Sequence, residues 1–245
     1  MSRDPSVAES RYSPLYFLSS LGAGGLVVTF FMYLMFWVPH QGRPVPVFED
    51  IAAAFSTGGP LLQAAMVVAM AGIAWFSWRN LSLLVWNLRH YRAFRASDAR
   101  QVHEASNAGS QIMAMLLALA MSVNVGFILG LVFVPGLWSV VEYLFPLAIL
   151  AFLAIGVLAL RLYSRYFTRV ISAGDFDFGD NNNLGQMVAI FAFAMIGVGL
   201  AAPGAMSHHI EINALGIFGA IFFATVAISL GLLKFVLGFK SMLRY

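Results

Sequence analysis

Apolar residues along the 245-residue chain gather into six runs, at 15–38, 60–88, 112–134, 138–160, 184–202 and 214–233. A hydrocarbon layer about 30 Å thick takes about 20 residues at 1.5 Å rise each, and each run is close to that length or longer. The runs are continuous, without the period-two alternation of a membrane-barrel strand, so helices are expected. The predicted fold is an all-α polytopic membrane protein: a single transmembrane domain over 1–245, with about six transmembrane helices arranged as three helical hairpins.

Composition agrees with the pattern. Hydrophobic residues make up 60% of the chain and charged ones 10%, against about a quarter charged in an average soluble domain. Cysteine is absent, which excludes a disulfide framework, a thiolate metal site and a cysteine nucleophile. The first residues, MSRDPSVAESRYSP, are polar, and no small-residue cleavage site follows the first apolar run. That run therefore reads as a membrane span, not a secretory signal.

The charges lie almost wholly on one side. Arg3 and Arg11 precede the first span, Arg79, Arg89, Arg92, Arg95 and Arg100 lie at or after the end of the second, Arg161, Arg165 and Arg169 follow the fourth, and Lys234, Lys240 and Arg244 follow the sixth. These are 13 of the 14 basic residues; Arg43 alone falls on the other side. Such an excess marks the cytoplasmic face, so both termini are expected inside, in a bacterial inner membrane. Trp37, Trp75, Trp78, Trp86, Trp138 and Tyr143 lie near span ends, where interfacial aromatics concentrate.

A weak internal repeat follows the hairpins. The odd spans end on FWVPHQG, VFVPGLW and LAAPGAM, with Pro39, Pro135 and Pro203 near the outer ends. The even spans leave on LVWNLRHYRAF, LALRLYSRYFTRV and LLKFVLGFKSML. Either a true structural repeat or the common needs of any hairpin, an outer turn and a positive inner flank, accounts for this. The inner segment from Tyr91 to Ser110 reads as an amphipathic helix. The acidic loop AGDFDFGDNNN misses the calcium-loop spacing and lacks its glutamate. It reads as a turn with Asn182 or Asn183 capping the fifth span.

Little chemistry stands out. There is no Walker loop, and the GAGG at Gly22 to Gly25 sits inside a span, so it serves helix packing or lines a path. No histidine falls inside a span, which argues against a membrane haem. His40, His208, His209 and Glu211 gather at the outer boundary, and a solvated loop is favoured there over a metal site. No enzymatic activity, cofactor or metal is expected. No acidic residue reaches mid-membrane, so a path built of hydroxyls, an amide and glycine backbone suits an anion or neutral solute better than a proton-coupled cation.

The parallel hairpins, the prolines of the odd spans, the start SPLYFLSSLGAGGL and the inner flank WNLRHYRAF resemble the tellurite-resistance/dicarboxylate transporter family, which includes the slow-type anion channels of plants. The resemblance implies hairpins arranged in a ring, with the odd helices lining a narrow anion pore closed by phenylalanine. It covers most of the chain, but three hairpins are present where the family has five. The region that carries the family's gate is missing, so no gate residue is carried over.

The expected function is passive conduction or carriage of small anions. The alternative is a non-transporting subunit of a larger membrane complex that offers glycine faces, such as Gly216, Gly219 and Gly22 to Gly25, to partner helices. Candidate path residues are Ser19, Ser20, Gly22, Gly24 and Gly25 in the first span, Ser122, Asn124 and Gly126 in the third, and Gly197 and Gly199 in the fifth. Expected partners are membrane lipids, small anions and further copies or subunits; nothing points to nucleic acid.

Overall fold

The computed structural model describes residues 12–98, 100, 103, 107–173 and 187–242. Seven α-helices account for most of them: α1 (Phe17–Trp37), α2 (Phe48–Thr57), α3 (Pro60–Ala96), α4 (Met113–Phe133), α5 (Leu137–Ala173), α6 (Val188–Met206) and α7 (Ile210–Met242). Six of these are long and apolar enough to cross a membrane, and no strand occurs among the described residues. The chain is an all-α polytopic membrane protein. The segment with Arg3 and Arg11, and all but the first residue of the loop from Ala173 to Asn183, lie outside the described residues.

Helix lengths alternate. The odd spans, α1, α4 and α6, have 21, 21 and 19 residues. The even spans, α3, α5 and α7, have 37, 37 and 33. The even helices thus run well past the expected ends at 88, 160 and 233, because nothing in their basic, aromatic C-terminal flanks breaks a helix. Those flanks are extensions of the membrane helices; α3 reaches Ala96 before Ser97 interrupts it.

Odd helices stop where turn chemistry stops them. Val134-Pro135-Gly136-Leu137 is a tight turn with Pro second and Gly136 third, at φ 71°, and Leu137 N–H returns to the Val134 carbonyl at 3.4 Å. This is the arrangement that favours Pro and Gly at those places. Pro203 behaves otherwise. It was expected to follow the fifth span, but it lies inside α6, which runs four residues beyond the expected 202 to Met206. A membrane helix tolerates proline in its interior, and Pro203 is buried there.

The connection between α1 and α3 holds an element absent from the sequence reading. In α2, Asp50 at the third helical position accepts from Val47 N–H at 3.1 Å, a first-turn capping arrangement, and Gly58 and Gly59 end the helix. Asp50 also pairs with Arg43, the lone basic residue of this face. Glu49 ties α2 to the α4–α5 turn, accepting from Gly136 N–H at 2.6 Å.

Packing is uneven among the hairpins. α1 with α3 and α6 with α7 are the most extensive pairings, whereas α4 packs more on α1 and α6 than on its sequence partner α5. Without water to drive apolar surfaces together, membrane helices associate through close backbone approach and interhelical hydrogen bonds. Between α6 and α7 the approach is backbone to backbone: a Cβ on Gly204 would lie 2.9 Å from Gly216 C, and one on Gly216 would lie 2.6 Å from Gly204 Cα. Gly216 and Gly219, candidates for holding a partner helix, instead meet Gly204 and Leu200 of α6 within the chain. α5 is held by two ring-in-notch contacts, Phe152 on Gly199 of α6 and Phe223 of α7 on Gly156. The α4–α5 contact has bulky partners, with Phe127 and Phe145 stacked at 6.4 Å between ring centres.

Gly204→Ala should therefore lower the stability of the purified protein in detergent by about 1–3 kcal/mol, the usual cost of overpacking. At Gly22 an added Cβ meets nothing within 4 Å, so Gly22→Ala should stay within about 0.5 kcal/mol of the parent. Thermal unfolding followed by circular dichroism checks both; equal melting curves for the two variants would contradict the backbone contact.

Candidate functional site

Some polar side chains inside the spans bond other helices, whereas hydroxyls such as Thr29 and Thr225 return to carbonyls of their own helix. On α3 the buried positions Met66, Ala69, Ile73, Ser77, Asn80, Leu84 and Asn87 follow steps of three and four, a heptad-like seam. Asn80 is fully buried. Its Nδ2 donates to the Ser20 carbonyl at 2.8 Å, and its Oδ1 accepts from Ser122 Oγ at 2.9 Å. Ser20 Oγ in turn donates to the Asn80 carbonyl at 2.9 Å. Two turns further on, Asn87 Nδ2 donates to the Tyr16 carbonyl at 3.2 Å. Tyr12 donates to the carbonyl and Oδ1 of Asn87, each at 3.3 Å. Burial, and secondarily Tyr91, push the Tyr12 phenol above its ordinary pKa, so it remains a donor.

Asn124 lies near the middle of α4 and has no such partner. Its Nδ2 reaches only the Met195 thioether, at 3.6 Å, a weak acceptor. The amide borders an open cavity of about 410 Å³ between α1, α4, α5 and α6. The cavity runs from Asn124 to Val45 and Met206, at the ends where the odd helices stop. Its walls are otherwise apolar, including Phe31, Ile128, Phe145 and Phe152. Toward the basic end, Leu116, Leu117, Phe193 and Ile196 are buried together and fill the space.

The ten candidate path residues are thus dispersed. Gly25, Asn124 and Gly199 line the cavity. Ser20 and Ser122 belong to the Asn80 junction. Gly24 is pressed against Met121 and Asn80, and Gly197 against the Ala220 carbonyl and Ala224 N–H of α7. Ser19, Gly22 and Gly126 are exposed on helix surfaces, and Ser19 returns its hydroxyl to the Tyr16 carbonyl of its own turn. Gly126 borders a separate groove between α4 and α5, beside Leu147 and Ala151. Asn80 was not among the sequence candidates; the signal that could have singled it out, with Asn87, was the seven-residue spacing on an apolar seam.

At the proline-bearing face, Glu142 accepts from Ser207 Oγ at 2.8 Å and from His208 N–H at 2.9 Å. The His40 ring is bonded to the Val38 carbonyl at 2.7 Å. Among the described residues no three His, Asp or Glu side chains gather as a metal site.

Asn80→Ala should destabilise the fold by about 1–3 kcal/mol, because it leaves buried groups of Ser20 and Ser122 without their partner. Asn124→Ala, which removes one sulfur contact, should cost clearly less. Chemical denaturation of the two variants side by side is the check, and an equal loss would mean that Asn124 also serves packing. Neither a family model, nor a curated protein, nor a solved structure matches this chain.

Proposed function

We propose that the chain forms a wall of a passive pathway for small anions, with the cavity bordered by α1, α4 and α6 as its outer vestibule. The observation that carries this reading is Asn124: a mid-span amide that borders a cavity and whose donors meet only the weak thioether acceptor of Met195. An amide donor replaces part of an anion's hydration without the trapping effect of a fixed positive charge. The concentration of 13 of the 14 basic residues beyond the other helix ends supports placing the vestibule outside and both termini in the cytoplasm. A bacterial inner membrane suits that reading.

The packed layer beneath Asn124 makes this a closed arrangement. Phe152 is the deepest wall residue on α5, 15 positions from Leu137 and thus about 22 Å along the helix axis. Conduction requires this layer to open, and three hairpins leave part of a ring to be supplied by further copies, spans or subunits. The complex-subunit reading is favoured by a different observation, the almost wholly apolar cavity wall, which also suits an intruding partner helix.

Liposome flux separates the two. Asn124→Leu should reduce chloride or nitrate flux by about tenfold or more, the loss of one hydrogen bond to a charged group being about 1.5–3 kcal/mol. Phe152→Ala should raise flux. Leu150→Met, on the exposed face of α5, should change little. Flux indifferent to Asn124, or no flux from intact protein, would turn the assignment to the complex subunit. Sidedness is tested by cysteines at the exposed positions Ser56 and Ala96: an impermeant thiol reagent added outside cells should label the first and not the second.

A further inference from the structure

The arginine-bearing face holds a second cavity, of about 350 Å³, between the end of α3, the turn before α4 and the inner part of α5. Four arginines line it: Arg95, Arg100, Arg165 and Arg169. They come from two chain segments about 65 residues apart, so their convergence is a product of the fold. Arg169 lies over the Tyr166 ring, 5.7 Å from its centre. Arg100 and Arg169 engage other groups as well; Arg95 and Arg165 are exposed to solvent. Tyr166, also in the wall, is only 9% exposed, and its hydroxyl lies beside that of Ser110 without a hydrogen bond of ordinary geometry among the described residues.

The deeper wall is apolar: Met115, Leu158 and Leu162. Leu158 stands 21 positions from the start of α5 and Arg165 stands 28. At 1.5 Å per residue these are about 32 and 42 Å along the helix. With Leu137 at the near head-group surface of a bilayer about 40–45 Å thick overall, the first depth lies just inside the far edge of the hydrocarbon core of about 30 Å and the second in the far head-group layer. The cleft therefore offers guanidinium forks at head-group height and aliphatic surface at acyl-chain height.

Arg95 and Arg165, both exposed to solvent at this cleft, repel one another less when an anion lies between them. Their planar forks match the oxygens of phosphate, and basic pockets between membrane helices suit anionic head groups. We propose that this cleft binds a phosphate group, the phosphodiester of an anionic phospholipid of the leaflet that α3 and α5 leave. Arg95 and Arg165 hold the phosphate, Tyr166 adds a hydroxyl donor, and Met115, Leu158 and Leu162 take the first part of the acyl chains. The site is separate from the Asn124 cavity and stands whether or not the chain conducts anions.

The test titrates the purified chain in a neutral detergent with short-chain phosphatidylglycerol, short-chain phosphatidylcholine or inorganic phosphate. Binding is read by native mass spectrometry and by the shift in melting temperature. Phosphatidylglycerol should bind saturably, and Arg95→Gln/Arg165→Gln should weaken it about tenfold or more, each arginine near the surface being worth about 1 kcal/mol. Arg89→Gln/Arg92→Gln removes the same charge from exposed positions outside the cleft and should bind as the parent does. Binding of inorganic phosphate with the same dependence on Arg95 and Arg165 would support the phosphate site with a soluble occupant. Equal binding of the two lipids, or equal loss in the two double variants, would overturn it. Melting curves without lipid verify folding, and the single variant Arg165→Gln serves should the double one fail to fold.

Discussion

Asn80 is the junction on which the first half of the molecule depends. One side chain from α3 donates to the backbone of α1 and accepts from a hydroxyl of α4, joining three helices at one point. In an apolar medium nothing else satisfies an amide, and each group left unpaired is costly. The amide thus fixes the rotation of α3 and its register against α1, and Asn87 repeats the constraint two turns nearer the basic face. Heptad-spaced asparagines act in the same way in coiled coils, trading stability for a single register.

Elsewhere small residues take over that role. α6 and α7 approach at Gly204 and Gly216, while α5 is seated by phenylalanine rings in the notches at Gly156 and Gly199. α4 and α5, consecutive in the chain, lack a matching pair of small residues at the level of Phe127 and Phe145, and their rings keep the helices apart. The consequence for the cavity is direct. A hairpin that does not close leaves α4 facing a cavity, and the polar residue at mid-height on that face is Asn124. Tight packing on both flanks and a loose centre arise from the same rule of close approach.

The two ends of the molecule differ in charge for a structural reason as well as a topological one. Arg43 is neutralised by Asp50 within the capped first turn of α2, so the proline-bearing face has little net positive charge. The opposite face carries long helices whose arginines project beyond the apolar core, and two of these helices bring four arginines around one cleft. Positive charge held at that height favours anions, whether as lipid head groups or as solutes drawn toward the membrane.

The number of spans, their helical nature and the asymmetry of charge were all determined by the sequence, because run length and composition act on each helix by itself. Turn residues acted locally too: Pro135 and Gly136 end one hairpin arm as their types demand. Local signals did not fix every helix end. Pro203 stayed inside α6, and the even helices continued past their apolar stretches. The short helix α2 was legible in principle, through Asp50 in its first turn and the following glycine pair. The site was not. Ser20, Ser122, Asn80 and Asn124 have the same chemistry in the sequence, a polar group in an apolar run. Only the tertiary structure decided that three of them meet and satisfy one another while Asn124 meets a cavity, since hydrogen-bond partners 42 and 60 positions apart are set by helix rotation and packing.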